Sequence, residues 1–387
     1  MINGIVTKII QMTGEKKIGF LCSSSSLGGL EINVVRLAFW MKQRGWEVVL
    51  YVLKNSPIEA MAKDRSIRIR NIVKHWKYFD IIRALKLLQK LRADNVNLLL
   101  VRDNRDISLA AIAKTFSFNK LRIIYQQAMQ IGINKKDIFH TIRYSKIDAW
   151  LTPLKWLAGQ VKARTNFPAN KIHIVPLGIE LEKFINNKYT KEKAREFFSL
   201  SSESRIIGII GRLAYGKGQH LLIEAIHHLN TQNYNVELLI VGEPTKNEGT
   251  QYLDHLNQLV TKYNLNDKVH FRPFTDKVEI FYRAIDIFTL ASKSETFGTV
   301  TIEAMASGLP IIGTNTGGTP EILKYGGLGL LFTPGNMKEL VNNITALLDD
   351  PSKMKALGES ARKEAIEKYS HIAECRQIEE IINADLI

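Results

Sequence analysis

The sequence predicts two α/β domains, each built on a parallel sheet, and three observations carry that prediction. Short apolar runs alternate with helical stretches along the chain, the alternation restarts near Arg205, and 387 residues exceed what one core usually organises. In the first half KIGFLCS, EVVLYVLK, NLLLVR, LRIIYQQ and DAWLTP read as strands, being short apolar runs bounded by polar or turn residues. Helices over Leu30 to Arg44 and Phe79 to Arg92 separate some of them. In the second half RIIGIIG, VELLIVG, KVHFRPF, DIFTLAS and LPIIGT repeat the pattern, and Thr299 to Ser307 reads as a small-residue helix. The polar stretch FINNKYTKEK places a linker between Pro176 and about Lys191, and the chain reads as helical after Pro351. The domains are therefore expected at 1–185 and 186–368, followed by a C-terminal helix over 369–387. Residues 1–16 carry no assignable element.

Composition narrows the setting. A hydrophobic fraction of 45% supports two cores. Cys22 and Cys375 lie far apart in sequence, no signal peptide opens the chain, and no apolar run approaches the roughly 20 residues of a membrane span. A cytoplasmic protein is the expectation. Net charge is +15, but residues 1–180 hold 30 Lys and Arg against 12 Asp and Glu, whereas the remainder hold 23 against 26. One half is thus expected to face an anionic partner: a membrane surface, a phosphorylated acceptor or nucleic acid. IIRALKLLQKLR and KKDIFHTIRYSK space basic and apolar residues as a helix on anionic lipid would, and equally as a solvated face over a core. No recognition-module signature accompanies the charge, so nucleic acid is not expected.

Three motifs carry chemistry. In SKSETFGTVTIEAMASGLPIIGTNTGGTPEIL, Glu295 falls in the loop after a strand, and Glu303 lies about one helical turn beyond the Phe297-Gly298 turn. Open parallel sheets bind ligands at that edge, and the amides of Gly298, Thr299 and Val300 would face an anion at a helix N-terminus. Glu303 suits a vicinal diol such as a ribose, and Glu295 suits sugar hydroxyls. GRLAYGKG, from Gly211 to Gly218, follows a strand and offers Arg212 and Lys217 as two fixed cations for a diphosphate. It is close to a Walker A loop, yet Gly218 stands where the Mg²⁺-ligating Ser or Thr belongs. SLGGLE places Gly28 and Gly29 between the first strand and first helix, where two glycines permit close ligand approach. Glu31 reads as a stabilising carboxylate at that helix N-terminus. No His cluster has metal-ligand spacing.

Together with SSSLGGLEINVV and NKIHIVPLGIELEKF, these segments resemble the large family of retaining glycosyltransferases numbered family four. The resemblance implies the GT-B architecture, two Rossmann-like domains facing one another across a cleft, with the last helix returning to the N-terminal domain. It also implies a nucleotide-sugar donor, a saccharide or lipid-linked acceptor, and no metal or other cofactor. Arg212 and Lys217 would grip the donor diphosphate, Gly28 and Gly29 would close over it, and Arg272 and Phe274 resemble the stretch that contacts the base. The GGTPE turn, with Gly317, Gly318 and Glu321, would border the donor pocket. Gln126 stands where many members place a His, so a general base must be sought elsewhere, or the leaving phosphate must take the proton while Gln126 only orients hydroxyls. Leu177 and Glu180 also depart from the more usual Asn and Asp. The basic first half makes glycan or lipid-linked saccharide assembly, peripheral on the inner membrane face, the expected setting. Two other readings use the same residues: a nucleotide-sugar epimerase, and an inactive partner subunit that binds donor or lipid.

Overall fold

The computed structural model describes residues 16–26, 28–186, 188–244 and 250–384. It divides into two compact units, Met1–Pro176 with Glu374–Ile387, and Leu177–Ala373. Each is a Rossmann-like α/β domain with a wholly parallel sheet.

The first unit contains β1 Lys17–Cys22, β2 Glu47–Leu53, β3 Arg68–Ile72, β4 Leu98–Val101, β5 Arg122–Gln126, β6 Ala149–Thr152 and β7 Ile172–Ile174, in the order β3-β2-β1-β4-β5-β6-β7. Its inner strands β1, β2, β4, β5 and β6 read as continuous apolar runs because both faces are buried. Ile18, Phe20 and Cys22 of β1 enter one core with Leu100 and Ile124, while Leu21 enters the opposite core with Val49, Val101 and Ile123. Cys375, Ile378 and Ile382 of the His371–Ala384 helix complete the first of these cores. Glu379 of that helix accepts from Trp46 Nε1 at 2.8 Å and pairs with Arg44 at 2.5 Å.

Two helix boundaries follow from capping. The helix expected from Phe79 runs over Ile81–Ala93, because the Asp80 carboxylate accepts from the Arg83 amide at 3.2 Å and from the Trp76 amide at 3.0 Å. Such a cap contributes about 1 kcal/mol. Phe79, with φ of 56°, is left outside. The helix following SLGGLE runs over Gly29–Gln43.

The second unit contains β8 Arg205–Ile210, β9 Val236–Val241, β10 Val269–Arg272, β11 Ile287–Leu290, β12 Ile311–Thr314 and β13 Leu330–Phe332, in the order β10-β9-β8-β11-β12-β13. Successive strands run outward from β8 on one side and from β11 on the other. The strand order thus reverses between β8 and β11, and open parallel sheets bind ligands at the carboxyl edge of such a reversal. The order reverses in the same way between β1 and β4 of the first unit.

Candidate functional site

The loop after β8 and the loop after β11 meet at the reversal point of the second sheet. Gly218 takes φ of 75° and ends a short 3₁₀ turn, Tyr215–Lys217, before the Gln219–Thr231 helix. A Cβ there would run into the carbonyl of Ala291, the first residue after β11, so glycine lets the two loops touch through backbone. The Lys293 amide donates to the Gly216 carbonyl at 2.8 Å across the same seam. Lys217 then forms an ion pair with Glu295, and Ser292 Oγ donates to the same Glu295 oxygen at 2.8 Å. Two residues 78 apart in sequence thus share one point at the sheet edge.

A third loop closes on them. Gly318 donates its amide to the Glu295 carbonyl at 2.9 Å, and Gly317, at φ of 64°, packs so closely that a Cβ would strike that carbonyl. The GGTPE turn therefore fixes Glu295 by its backbone. Thr314 Oγ1 anchors the loop from below by donating to the Ser292 carbonyl at 2.8 Å.

Gly298, at φ of 76°, opens the Thr299–Ala306 helix. Its left-handed conformation lets the chain turn from the Glu295 loop into the helix and leaves Gly298, Thr299 and Val300 half-buried rather than covered. Phe297 is buried against Tyr369, with ring centroids 6.1 Å apart, and braces the turn. Glu303 is buried, and the Tyr282 hydroxyl lies 2.9 Å from its Oε2 and 3.1 Å from the Val300 carbonyl. One hydroxyl proton serves one of these acceptors at a time, so Tyr282 ties Glu303 and the first turn of its helix to one point.

Arg212 is exposed on the β8 loop, and its carbonyl accepts from Gln219 Nε2 at 2.9 Å. Arg272 ends β10 at the same sheet edge, but two strands away from β8. Its guanidinium bonds the carbonyls of Phe271 and Phe198. Phe274 is exposed.

In the first unit, Gly28 is the extended residue before the Gly29–Gln43 helix, with φ of −157°, and accepts from the Ile32 amide at 3.0 Å. A side chain at Gly29 would meet open space, so neither glycine is there for a left-handed backbone. Leu27 lies outside the described residues. Glu31, expected simply to favour a helix N-terminus, is buried and accepts from Ser24 Oγ at 2.5 Å.

Gln126 ends β5 fully buried. Its Oε1 accepts from Arg102 Nη1 at 2.6 Å and its Nε2 donates to Glu374 at 2.8 Å. The sequence expected Gln126 to face hydroxyls; its amide links a buried cation to a buried anion of the C-terminal helix.

A further cluster at this edge was not anticipated. His75 Nε2 lies 2.7 Å from Asp106 Oδ1 and 3.1 Å from Ser23 Oγ, while its Nδ1 lies 2.8 Å from the Trp76 carbonyl. Ser23 donates both its amide, at 2.9 Å, and its hydroxyl to Asp106. The loops after β1, β3 and β4 are thereby tied together. No motif could have announced this, since the three residues come from separate loops.

Burial disfavours a charged His75, but its bonds to Asp106 and the Trp76 carbonyl, with the charges of Asp106 and Asp80, together outweigh that and raise its pKa above the usual value. Both ring nitrogens face acceptors, which only the imidazolium satisfies. A raised folded value means that this contact stabilises fully below about pH 6.5 and is lost as pH rises through the folded pKa. The stability difference between the wild type and His75→Asn should shrink by about 1–2 kcal/mol between roughly pH 6 and pH 9. A difference in denaturation midpoint that is constant over that range would contradict the assignment.

Comparison with known proteins follows the same division. Residues 190–364 match the family model described as Glycosyl transferases group 1, and residues 27–183 match that of Glycosyltransferase Family 4. The capsular polysaccharide biosynthesis glycosyltransferase CapM of Staphylococcus aureus is 30% identical over 223 residues, 56% of this chain and 56% of its own length. The chain thus spans little more than half of that relative. The N-acetyl-alpha-D-glucosaminyl L-malate synthase of Bacillus anthracis is 24% identical over 91% of this chain and 93% of its own. Among solved structures, Anabaena Alr3699/HepE in complex with UDP superposes with a TM-score of 0.83 over 95% of this chain and 100% of that one, at 21% identity.

Proposed function

The chain belongs to the glycosyltransferase family that these two models describe, group 1 and family 4, and from that premise we propose that it is a metal-independent retaining transferase. It moves a hexose from a nucleoside-diphosphate sugar to a glycan or lipid-linked acceptor. The observation that carries the reading is the Lys217–Glu295 pair, held by backbone contacts at the sheet reversal beside the Gly298 turn. The UDP in the Anabaena structure and the polysaccharide role in the name of the Staphylococcus relative support the donor class and the setting.

Lys217 and Glu295 neutralise each other in their ion pair. A diphosphate entering beside Gly298 offers Lys217 a stronger anion, and Glu295 is released to accept from sugar hydroxyls. Arg212 joins Lys217 on the diphosphate, and the Thr299 and Val300 amides add partial positive charge. Glu303, oriented by Tyr282, takes the ribose diol. The sugar C1–O bond then breaks with its electron pair on the phosphate oxygen, and the acceptor oxygen bonds C1 on the same face. The acceptor proton passes to that phosphate oxygen, so no proton needs to travel through Gln126, whose amide is engaged with Arg102 and Glu374. Charge developing on the leaving group is where fixed cations accelerate the reaction.

The test is product stereochemistry with a panel of UDP-, GDP- and ADP-sugars. Proton NMR is expected to show the anomeric configuration of the donor kept in the product, at full rate in excess EDTA. Inversion, or a rate abolished by EDTA, would contradict the mechanism. An isomerised donor formed without acceptor would make the protein an epimerase.

A further inference from the structure

Exposed apolar side chains of the first unit gather in one place. Twelve of its fifteen exposed large hydrophobic residues, among the described residues, fall within 73–85 and 129–142, the segments that follow β3 and β5. Phe79 and Phe139 tie the two segments together edge to face, with centroids 5.7 Å apart, and the Arg143 guanidinium lies 5.6 Å from the centre of the Tyr78 ring. Trp76 is 74% exposed, Phe79 69% and Ile138 64%, so these rings and chains are presented outward rather than shared with the core.

The helix Ile81–Ala93 explains the arrangement. Its stripe of Ala84, Leu87, Leu88 and Leu91 is already buried in the core, so the basic helix does not lie on lipid along its length. Its first turn and the loop before it, however, leave Ile81, Ile82 and Leu85 outside. The same holds for Ile138–Tyr144, which buries Arg143 and Tyr144 but exposes Ile138, Phe139 and Ile142. The patch is firmly mounted: Asp80 caps one helix, Asp137 caps the other, and His75 fastens the intervening loop to Asp106.

Charge names the partner. Residues 73–90 and 129–146 hold nine Lys or Arg against two Asp, and those two are the capping residues. Burial, chiefly, with Lys77 and Arg143 nearby, holds the Lys135 ammonium below its usual pKa. A second copy of the chain would bring like charge onto like charge. Nucleic acid would leave the aliphatic Ile82, Ile138 and Ile142 against phosphate.

We propose that this surface docks on an anionic phospholipid bilayer, with Trp76, Phe79, Ile82, Ile138 and Phe139 in the interfacial layer and the flanking lysines on lipid phosphates. It extends the functional reading by supplying the place where a lipid-linked acceptor is met, and rests on that reading for its purpose but not for its chemistry.

The full chain is sedimented with phosphatidylcholine vesicles with and without phosphatidylglycerol. Binding to the anionic vesicles is expected, weakened by salt, with a blue shift of tryptophan emission that Trp76→Phe removes. The combined variant Phe79→Ser, Ile138→Ser and Phe139→Ser should lose about tenfold or more in vesicle affinity, and Lys74→Glu with Lys77→Glu should abolish the preference for anionic lipid. Phe118→Ser, exposed outside the patch, should bind as wild type. Equal sedimentation with both vesicles, none with either, or undiminished binding by the Ser variant overturns the proposal, as does a dimer that the Ser variant dissociates. Loss of UDP-sugar binding with vesicle binding intact would count against the transferase reading alone.

Discussion

Replacing Lys217 with alanine is expected to lower kcat/KM for sugar transfer by about 10²–10³-fold, most of it in kcat. The effect has two sources. One is the loss of a fixed cation from the leaving diphosphate, where negative charge grows as the C1–O bond breaks. The other is the loss of order in the loop after β11, since Glu295 would keep Ser292 as a partner but lose its counter-ion. Lys217→Arg restores the charge but not the compact ammonium, and should recover only part of the rate. Glu295→Gln removes the partner from the opposite side. If the two side chains work as one unit, Lys217→Ala combined with Glu295→Gln will cost less than the sum of the single changes, by about 0.5–3 kcal/mol. Steady-state kinetics on these four variants, with donor affinity by calorimetry, provide the check. Wild-type kcat/KM in Lys217→Ala would remove the basis of the mechanism.

Glu374→Ala should lower the stability of the first unit by about 3–5 kcal/mol. Arg102 is 2% exposed and Glu374 is 3% exposed, and Gln126 bridges them. Burial already pulls the Arg102 pKa down, and Glu374 is the leading charge that opposes it. Arg102 Nε is buried without a hydrogen-bond partner among the described residues, so the guanidinium has no reserve to draw on. Removing the carboxylate leaves a buried cation uncompensated and unpins the C-terminal helix from β5. For a unit of this size the melting temperature should fall by roughly 6–20 °C. Gln126→Leu, which severs the bridge but keeps both charges, should cost less. A change below about 1 kcal/mol in Glu374→Ala would show that the bridge contributes little.

Strands that are buried on both faces were legible in sequence, because apolar side chains on alternate sides leave no polar break. Those that escaped were short or peripheral. β3, RIRNI, is an edge strand with only Ile72 buried, so its charges mask it; β7 and β13 have three residues each. The site was legible to the level of loops. Gly218, Gly298 and Gly317 stand at turns with positive φ, and their spacing from the preceding strands put Lys217 and Glu295 at a sheet edge. That these two meet was not legible, since pairing depends on which strands are neighbours, and β8 lies beside β11 only in the folded sheet. Gln126 shows the same limit more sharply. Its partner Glu374 arrives 248 residues later, and no local pattern marks a strand-end amide as the bridge between a buried cation and anion.

The contacts at Gly218 and Gly317 bear on how such a catalyst changes its preferences. Both hold the loops after β8, β11 and β12 together through main-chain atoms, so the loop paths do not depend on side-chain contacts alone. Selection can then exchange side chains on these loops to recognise a different sugar while the frame that aims them stays put, so new specificity can arise by a handful of substitutions rather than by rebuilding the loops.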